Sequence, residues 1–389
     1  MSWPRGVHLL THEFYPRRGG IATYTLGLAQ AAAHAGHDVH VWAPQHSALR
    51  EQDWPFTLHE LPIPGTEDWS DRWKLRQALR AAQVDWAQAQ VCLVDPGPLR
   101  LWLYARWLGL PRPARLSVVF HGSELNRCTR WLHRRLLLRQ LTLQADRVGV
   151  VSSYVGQLYL QHYDRPRTGS LVRIPGAPLE SFQPLPPEGR DRPRLKLLTV
   201  ARIHRRKGQH RVIEALGQLS LDLRRRWEYV LVGPARDPAY KAELEQLARQ
   251  HGIRVTFAGA VPDAELPRHY ATADVFVLPS EPHGASVEGL GLVLLEAAAA
   301  SLPVVAPRHG GMPEAVAHNR NGLLLPPGST NALAAALERL TQDASLRHRL
   351  GSAGPDWVRE QFSWARNVQA LFSDRVPSCC NFGRPMGSN

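Results

Sequence analysis

FVLPSEPHGASVEGLGLVLLEAAAASLPVVAPRHGGMPEAV, Phe276 to Val316, is the stretch whose reading decides the fold. Its opening aliphatic run ends in Pro279 and Ser280, as a buried strand ends in a turn. A polar loop follows, and the turn Gly289-Leu290-Gly291 opens an alanine-rich helix. Pro303 to Pro307 reads as a second short strand. HGGMPE then makes another glycine turn, with proline and acid placed where a first helical turn accepts them. Strand, loop and helix repeated in this way describe a parallel sheet with crossover helices. Such sheets collect ligand-binding groups at the carboxyl ends of their strands. Glu288, Glu296, Gly310 and Gly311 fall there, and the two glycines are expected to expose backbone N–H groups. The glutamates are eight residues apart, a little over two helical turns, which puts one at the helix mouth and the other on a nearby face.

The same rhythm extends in both directions. Residues 7–14 read as a first strand, 16–20 as a turn, Ile21 to Ala35 as a helix and Val39 to Ala43 as a strand. Gly19 and Gly20 permit either a tight turn that brings N–H groups to an anion or a turn with no ligand. FTLHELP, a helix over 71–83, CLVD at 92–95, a helix over 98–108, LSVVFHG at 116–122, RVGVVSS at 147–153 and LVRIPG at 171–176 continue the first half. His121 follows a strand-like run and precedes Gly122, so it either points into a crevice or is a satisfied structural histidine. Six prolines between Pro175 and Arg194 mark the domain boundary. Beyond it, LKLLTVAR closes on Arg202, and IHRRKG leads into a helix from about Gln209. Arg202 and Lys207 beside that helix N-terminus form a spot fit for a diphosphate, with a surface basic cluster as the plainer alternative.

The chain has 389 residues, 44% of them apolar and 21% charged, which suits a soluble protein of two or three domains. A formal charge of +13 favours anionic partners. In RCTRWLHRRLLLRQL, Trp131, Leu132, Leu136, Leu138 and Leu141 could bury one side of a helix. Arg127, Arg130, Arg134 and Arg135 would then reach anionic headgroups or simply form a solvated face. Nucleic acid is not expected, because no recognition module accompanies the charge. Cys92, Cys128, Cys379 and Cys380 fit neither a disulfide framework nor a zinc site, which points to a reducing compartment. The first residues lack a signal-peptide apolar region, and the apolar run Gly289 to Pro307 contains Glu296 and Pro303, so it reads as core. A cytoplasmic protein, at most peripheral on the inner membrane face, is expected.

Carboxylates suit sugar or ribose hydroxyls, because each accepts directional hydrogen bonds. Arginine and lysine suit a departing diphosphate, whose developing charge they neutralise. No DxD-like pair argues for a divalent metal. The first glycine turn, RRGG, is not GxGxxG, and no P-loop GK[ST] occurs, so hydride transfer and P-loop chemistry are poorly supported.

Taken together, these motifs make the chain resemble the retaining glycosyltransferases of family 4, with the GT-B fold, over about residues 6–373. That group includes phosphatidyl-myo-inositol mannosyltransferases, lipopolysaccharide core glucosyltransferases and relatives of sucrose synthase. EGLGLVLLEA with Glu288 and Glu296, then PVVAPRHGGMPE, carries the likeness most strongly. The early GG with the later GHDV, HG at 121–122 and R-x4-KG at 202–208 agree with it. The resemblance implies two Rossmann-like α/β domains facing across a cleft: an acceptor domain, 1–180, and a nucleotide-sugar domain, 181–356. It also implies a helix over 357–375 returning to the first domain and a disordered tail, 376–389.

By the same resemblance, Glu288 contacts the transferred sugar, Glu296 holds the ribose, and Arg202 and Lys207 grip the diphosphate. His121 contacts the donor hexose. Gly19, Gly20, Gly289, Leu290, Gly291, Gly310 and Gly311 line the donor side. The implied chemistry is front-side attack with retention, the leaving phosphate taking the acceptor proton, and neither metal nor cofactor required. The sequence departs from the family pattern in a longer Ser280–Glu288 spacing, in Leu290 and Val293, and in Ala201 and Ser301 where glycine is frequent. The longer loop and VEGLG favour a GDP-mannose-like donor and a lipid-linked or polysaccharide-precursor acceptor. A soluble transferase using a UDP-sugar and a small acceptor is the alternative. A phosphorylase, an epimerase or a non-enzymatic sugar-binding protein stands behind both.

Overall fold

The computed structural model describes residues 6–16, 19–46, 53–63, 69–104, 109–110, 112–166, 170–182 and 194–380. The expectations for the 16–20 turn, the end of the 98–108 helix, most of the proline-rich linker and the last nine residues therefore lie partly or wholly outside the described residues. The chain divides into two compact units, Met1–Ala177 with Phe362–Asn389, and Pro178–Gln361.

The first unit holds β1 (Gly6–Leu10), β2 (Asp38–Pro44), β3 (Thr57–Leu61), β4 (Gln90–Leu93), β5 (Arg115–Phe120), β6 (Arg147–Val150) and β7 (Ser170–Arg173). All pair in parallel in the order β3-β2-β1-β4-β5-β6-β7. The second holds β8 (Leu195–Val200), β9 (Trp227–Val232), β10 (Arg254–Gly259), β11 (Val275–Val277), β12 (Val304–Pro307) and β13 (Gly322–Leu325). Its order is β10-β9-β8-β11-β12-β13, again parallel throughout. Strands β11 and β12 are buried at every residue, which is why their sequences are unbroken apolar runs with no alternation. In the second sheet the order reverses between β8 and β11, and a crevice opens at such a point beyond the strand ends. R-x4-K follows β8, and Glu288 follows β11.

Among the differences from the sequence expectation, three bear on the fold. β1 stops at Leu10 and not at residue 14, because the Asp95 carboxylate captures the next backbone groups. Its Oδ2 accepts from Thr11 Oγ1 at 2.6 Å, from the His12 amide at 2.5 Å and from the Glu13 amide at 3.2 Å. The second unit runs to Gln361, so the helix Gly354–Gln361, with Trp357, stays with it. The returning helix is Trp364–Phe372, capped by Ser363 and packed on the helix Gly20–His34. Gly27 permits that packing: a Cβ there would lie 2.3 Å from the Trp364 ring. Third, Ser301 holds the left-handed conformation (φ 60°) after the helix Leu292–Ala299. The amides of Ser301 and Leu302 donate to Ala298 O and Ala297 O, the Schellman arrangement that usually selects glycine.

A run of rings crosses β1, β2 and β3. His8 stacks on His40 at 4.6 Å, His40 Nδ1 lies 3.0 Å from His59 Nε2, and Trp42 stacks on His59 at 4.0 Å. Trp42 Nε1 donates to His8 Nδ1 at 3.1 Å, so His8 must offer a lone pair there. Burial, then the neighbouring His40 and His59, lower His8 from 6.5 to about 4. Between pH 6.5 and 4 the unfolded chain takes up a proton that the folded one refuses. Stability is therefore complete above pH 6.5 and falls as pH drops through that window, by about 3 kcal/mol in all. Denaturant unfolding across pH 7.5–5 should show this slope, and His8→Asn should flatten it. An unchanged slope would remove His8 as its source.

Candidate functional site

The site in the second unit is assembled from the turns that follow β8 and β11. After β8, His204 caps a single 3-10 turn, Arg205–Lys207, its Nδ1 accepting from the Arg206 amide at 3.1 Å. Gly208 then turns left-handed (φ 69°) directly against the end of β11, where a Cβ would stand 2.2 Å from Pro279 O. This contact lays the basic turn beside the loop that carries Glu288. Lys207 Nζ reaches Glu288 Oε2 at 2.6 Å and Arg206 Nη1 reaches it at 3.0 Å. Ser280 Oγ donates to the same oxygen at 3.2 Å. Burial alone would disfavour the charge on Glu288, but Lys207 and Arg206 overcome it and hold the carboxyl at about 2. It is ionised at every working pH. All three hydrogen bonds converge on Oε2, and among the described residues none reaches Oε1.

Arg202, singled out by the R-x4-K spacing, does not share in this pair. Its side chain is exposed, and its carbonyl accepts from Gln209 Nε2 at 2.9 Å. Arg206 takes the inward place, which spacing could not reveal because IHRRKG offers two adjacent arginines and only the 3-10 turn selects one. Arg205 instead pairs with Glu243 and covers the Tyr240 ring. The long loop between Ser280 and Glu288 is pinned to the same turn. The Glu281 amide donates to Arg206 O at 2.8 Å, the Glu281 carboxylate pairs with Arg211, and His283 meets the His204 ring at 5.9 Å.

Glu288 precedes the helix by four residues and lies in the loop, whereas Glu296 is inside the helix and 5% exposed. The helix starts at Leu292, after a left-handed Gly291 (φ 85°). Leu290, expected on the donor side, is buried in the core at 4% exposure, and Gly289 is half-buried. Tyr270 Oη donates to Glu296 Oε2 at 2.7 Å. Burial, with Asp263 adding like charge, pushes the Glu296 carboxyl up to about 7 against the opposing effect of that hydrogen bond. The Gly310-Gly311 turn serves Glu288 itself. Gly311 spends its amide on Glu288 O at 3.0 Å, and a Cβ on Gly310 (φ 61°) would stand 2.4 Å from that oxygen. The expectation of two exposed N–H groups is thus corrected for Gly311: the glycines allow two backbones to touch.

His121, Gly19 and Gly20 belong to the first unit. Gly19 is extended (φ −177°) and caps the helix that starts at Gly20, so neither needs the special freedom the tight-turn reading assumed. His121 is half-buried past the end of β5, its Nε2 2.9 Å from Val94 O. Nε2 must be the donor to that carbonyl, which leaves Nδ1 as an acceptor in the neutral ring. Tyr24 meets its ring edge-on at 5.2 Å. Glu124 accepts from the amides of His121 and Gly122, fixing the turn.

The arginine-rich segment breaks into two helices, Ser123–Thr129 and Leu132–Gln144. Leu138 and Leu141 are buried as expected, but Trp131, Leu132 and Leu136 are 57%, 71% and 54% exposed. They stand among exposed Arg127, Arg130, Arg134 and Arg135. The apolar side is thus divided: Leu138 and Leu141 pack inward, whereas Trp131, Leu132 and Leu136 face outward beside the arginines. Among the described residues, no helix is long and apolar enough to cross a membrane, and no cluster of His, Cys, Asp or Glu is placed to hold a metal ion.

Comparison with known proteins agrees over almost the whole chain. The family model described as Glycosyltransferase Family 4 matches residues 18–176, and that described as Glycosyl transferases group 1 matches residues 185–357. The GDP-mannose-dependent alpha-(1-6)-phosphatidylinositol monomannoside mannosyltransferase of Mycobacterium tuberculosis is 32% identical, across 92% of this chain and 94% of that protein. Two solved structures share the fold at lower identity. Anabaena HepE in complex with UDP-glucose has a TM-score of 0.74 and 20% identity, covering 94% of this chain and 98% of that one. WaaG, a glycosyltransferase involved in lipopolysaccharide biosynthesis, has a TM-score of 0.71 and 19% identity, covering 95% and 100%.

Proposed function

The chain belongs to the family 4 glycosyltransferases, and from that premise we propose that it moves a mannosyl group from GDP-mannose to a phosphatidylinositol-mannoside-like lipid, with retention and without a metal. The observation that carries the site assignment is the ionised Glu288 carboxylate, held through Oε2 by Lys207 and Arg206. In this reading Oε1 accepts from a hydroxyl of the transferred sugar. Lys207 and Arg206, joined by the exposed Arg202, neutralise the diphosphate as it leaves. The departing phosphate takes the acceptor proton. Glu296 accepts from the ribose, and His121 offers Nδ1 to the donor hexose. The likeness to a GDP-mannose-dependent relative over nine-tenths of the chain supports the donor and acceptor classes. Thermal shift with GDP, UDP, ADP and their hexose conjugates, with and without magnesium, tests the donor. A shift with GDP and GDP-mannose, and mannosyl transfer that persists in EDTA, are expected. A shift with UDP alone would overturn the donor, and EDTA-sensitive transfer would overturn metal independence.

The exposed Trp131, Leu132 and Leu136 among four arginines support a peripheral seat on the inner face of an anionic membrane, where such an acceptor would lie. Each basic residue at a bilayer surface contributes about 1 kcal/mol. Replacing Arg134 and Arg135 by alanine should therefore weaken binding to phosphatidylinositol-containing vesicles about thirtyfold. Transfer to a soluble short-chain acceptor should change little. Unaltered vesicle binding would discard this surface.

A further inference from the structure

The proposed mechanism gives no role to the phenol of Tyr270, which is fully buried on the short helix Leu266–Ala271. Its ring is fixed on two sides, stacked on Phe276 of β11 at 5.7 Å and met edge-on by Phe182 at 5.4 Å. A phenol oxygen buried without a partner is costly, and this one is satisfied by Glu296 Oε2 at 2.7 Å. Burial, with the Glu296 charge beside it, keeps the Tyr270 hydroxyl protonated well beyond its usual range, so it remains a donor at every working pH.

We infer that Tyr270 is a positioning residue for donor recognition: it engages Oε2 of Glu296 and thereby fixes Oε1 as the acceptor for the nucleotide ribose. The inference rests on the ribose role proposed for Glu296 and adds the group that orients it. Its physical content is rigidity. A carboxylate on a glutamate side chain has several rotamers, and a hydrogen bond from a ring that cannot move selects one of them. The same bond favours the ionised carboxylate, against the burial and the Asp263 charge that favour the acid. Ribose binding should accordingly be linked to pH near neutrality, with Tyr270 setting where the change falls. Among the described residues, Asp263 and Tyr270 are the titratable groups that act on Glu296.

Calorimetric binding of GDP and 2′,3′-dideoxy-GDP to the full chain, between pH 6 and 8.5, tests this. The wild type should prefer GDP by about tenfold above neutral pH and lose that preference as pH falls. Tyr270→Phe keeps the ring packing and should reduce the preference to about two- or threefold, moving its pH midpoint upward by about one unit. In Glu296→Gln the preference should be small and independent of pH, and adding Tyr270→Phe should change it no further. A wild type that binds both nucleotides equally would defeat the ribose role itself. If the wild type discriminates and Tyr270→Phe keeps both ratio and midpoint, the positioning role alone fails. Equal weakening of both nucleotides at an unchanged ratio would likewise leave Tyr270 a packing residue and overturn the inference.

Discussion

Glu288→Gln should lower sugar transfer about a thousandfold while tightening, or at least preserving, the binding of GDP. The amide keeps the shape of the side chain and can still accept a hydrogen bond, so the substitution removes charge more than volume. Lys207 and Arg206 lie 2.6 and 3.0 Å from the lost oxyanion, with side chains only 12% and 14% exposed, and they lose the anion that compensates them. Removing one partner of a buried pair costs about 3–5 kcal/mol when nothing replaces it. A diphosphate supplies the missing negative charge, so the variant gains relatively more than the wild type from binding it. Stability without ligand should fall and be recovered by GDP. Transfer is not recovered, because the hydroxyl of the moving sugar has lost its ionised acceptor. Separate measurement of kcat, of GDP affinity and of Tm with and without GDP distinguishes these effects. Wild-type turnover would sink the role assigned to Glu288.

The second large effect is expected from a residue that bears no polar side chain. Gly310→Val places a branched side chain on a left-handed backbone (φ 61°), which costs about 1–2 kcal/mol by itself. Its Cβ would meet Glu288 O at 2.4 Å, so one of the two loops must also move. Either movement breaks the hydrogen bond from the Gly311 amide to Glu288 O. A misplacement of about 1 Å in such a site is worth about a hundredfold in rate. A drop of at least that size in kcat is expected, with the fold retained by circular dichroism and Tm lowered by several degrees. Near-normal kcat in a folded Gly310→Val would show that the two loops do not depend on each other.

Much of the architecture was legible because its determinants are local. β11 and β12 are unbroken apolar runs, and they became buried central strands. Gly291, predicted to open the helix, does so in the left-handed conformation that its missing Cβ permits. Glu288 and Glu296 stand out in the sequence because each interrupts a stretch that is otherwise apolar or glycine-rich. Arg206 was not legible in the same way. IHRRKG carries four basic side chains, and their identities are silent on which one turns inward. The 3-10 turn over Arg205–Lys207 makes that choice, and its place is set by the contact of Gly208 with Pro279 O, a residue about seventy positions away.

Tyr270 illustrates the same limit. In PRHYATAD it reads as an ordinary aromatic of a short helix, and only the packing of Phe182 and Phe276 brings its hydroxyl to Glu296. The arginine-rich segment shows a related limit. Its spacing was right for one continuous amphipathic helix, but the chain breaks at Arg130–Trp131 and leaves Trp131 and Leu132 outside. Periodicity reports which residues could share a face, and the neighbours decide whether anything covers it. The sequence alone therefore determined the parallel α/β class, the family and the two carboxylates, since apolar runs, glycine turns and isolated acids act over a few residues. The tertiary structure alone decided which cations meet Glu288, what holds Glu296 and why the second glycine turn is there. Each of those is a contact between distant segments, and its energy depends on distance and burial that no local pattern encodes.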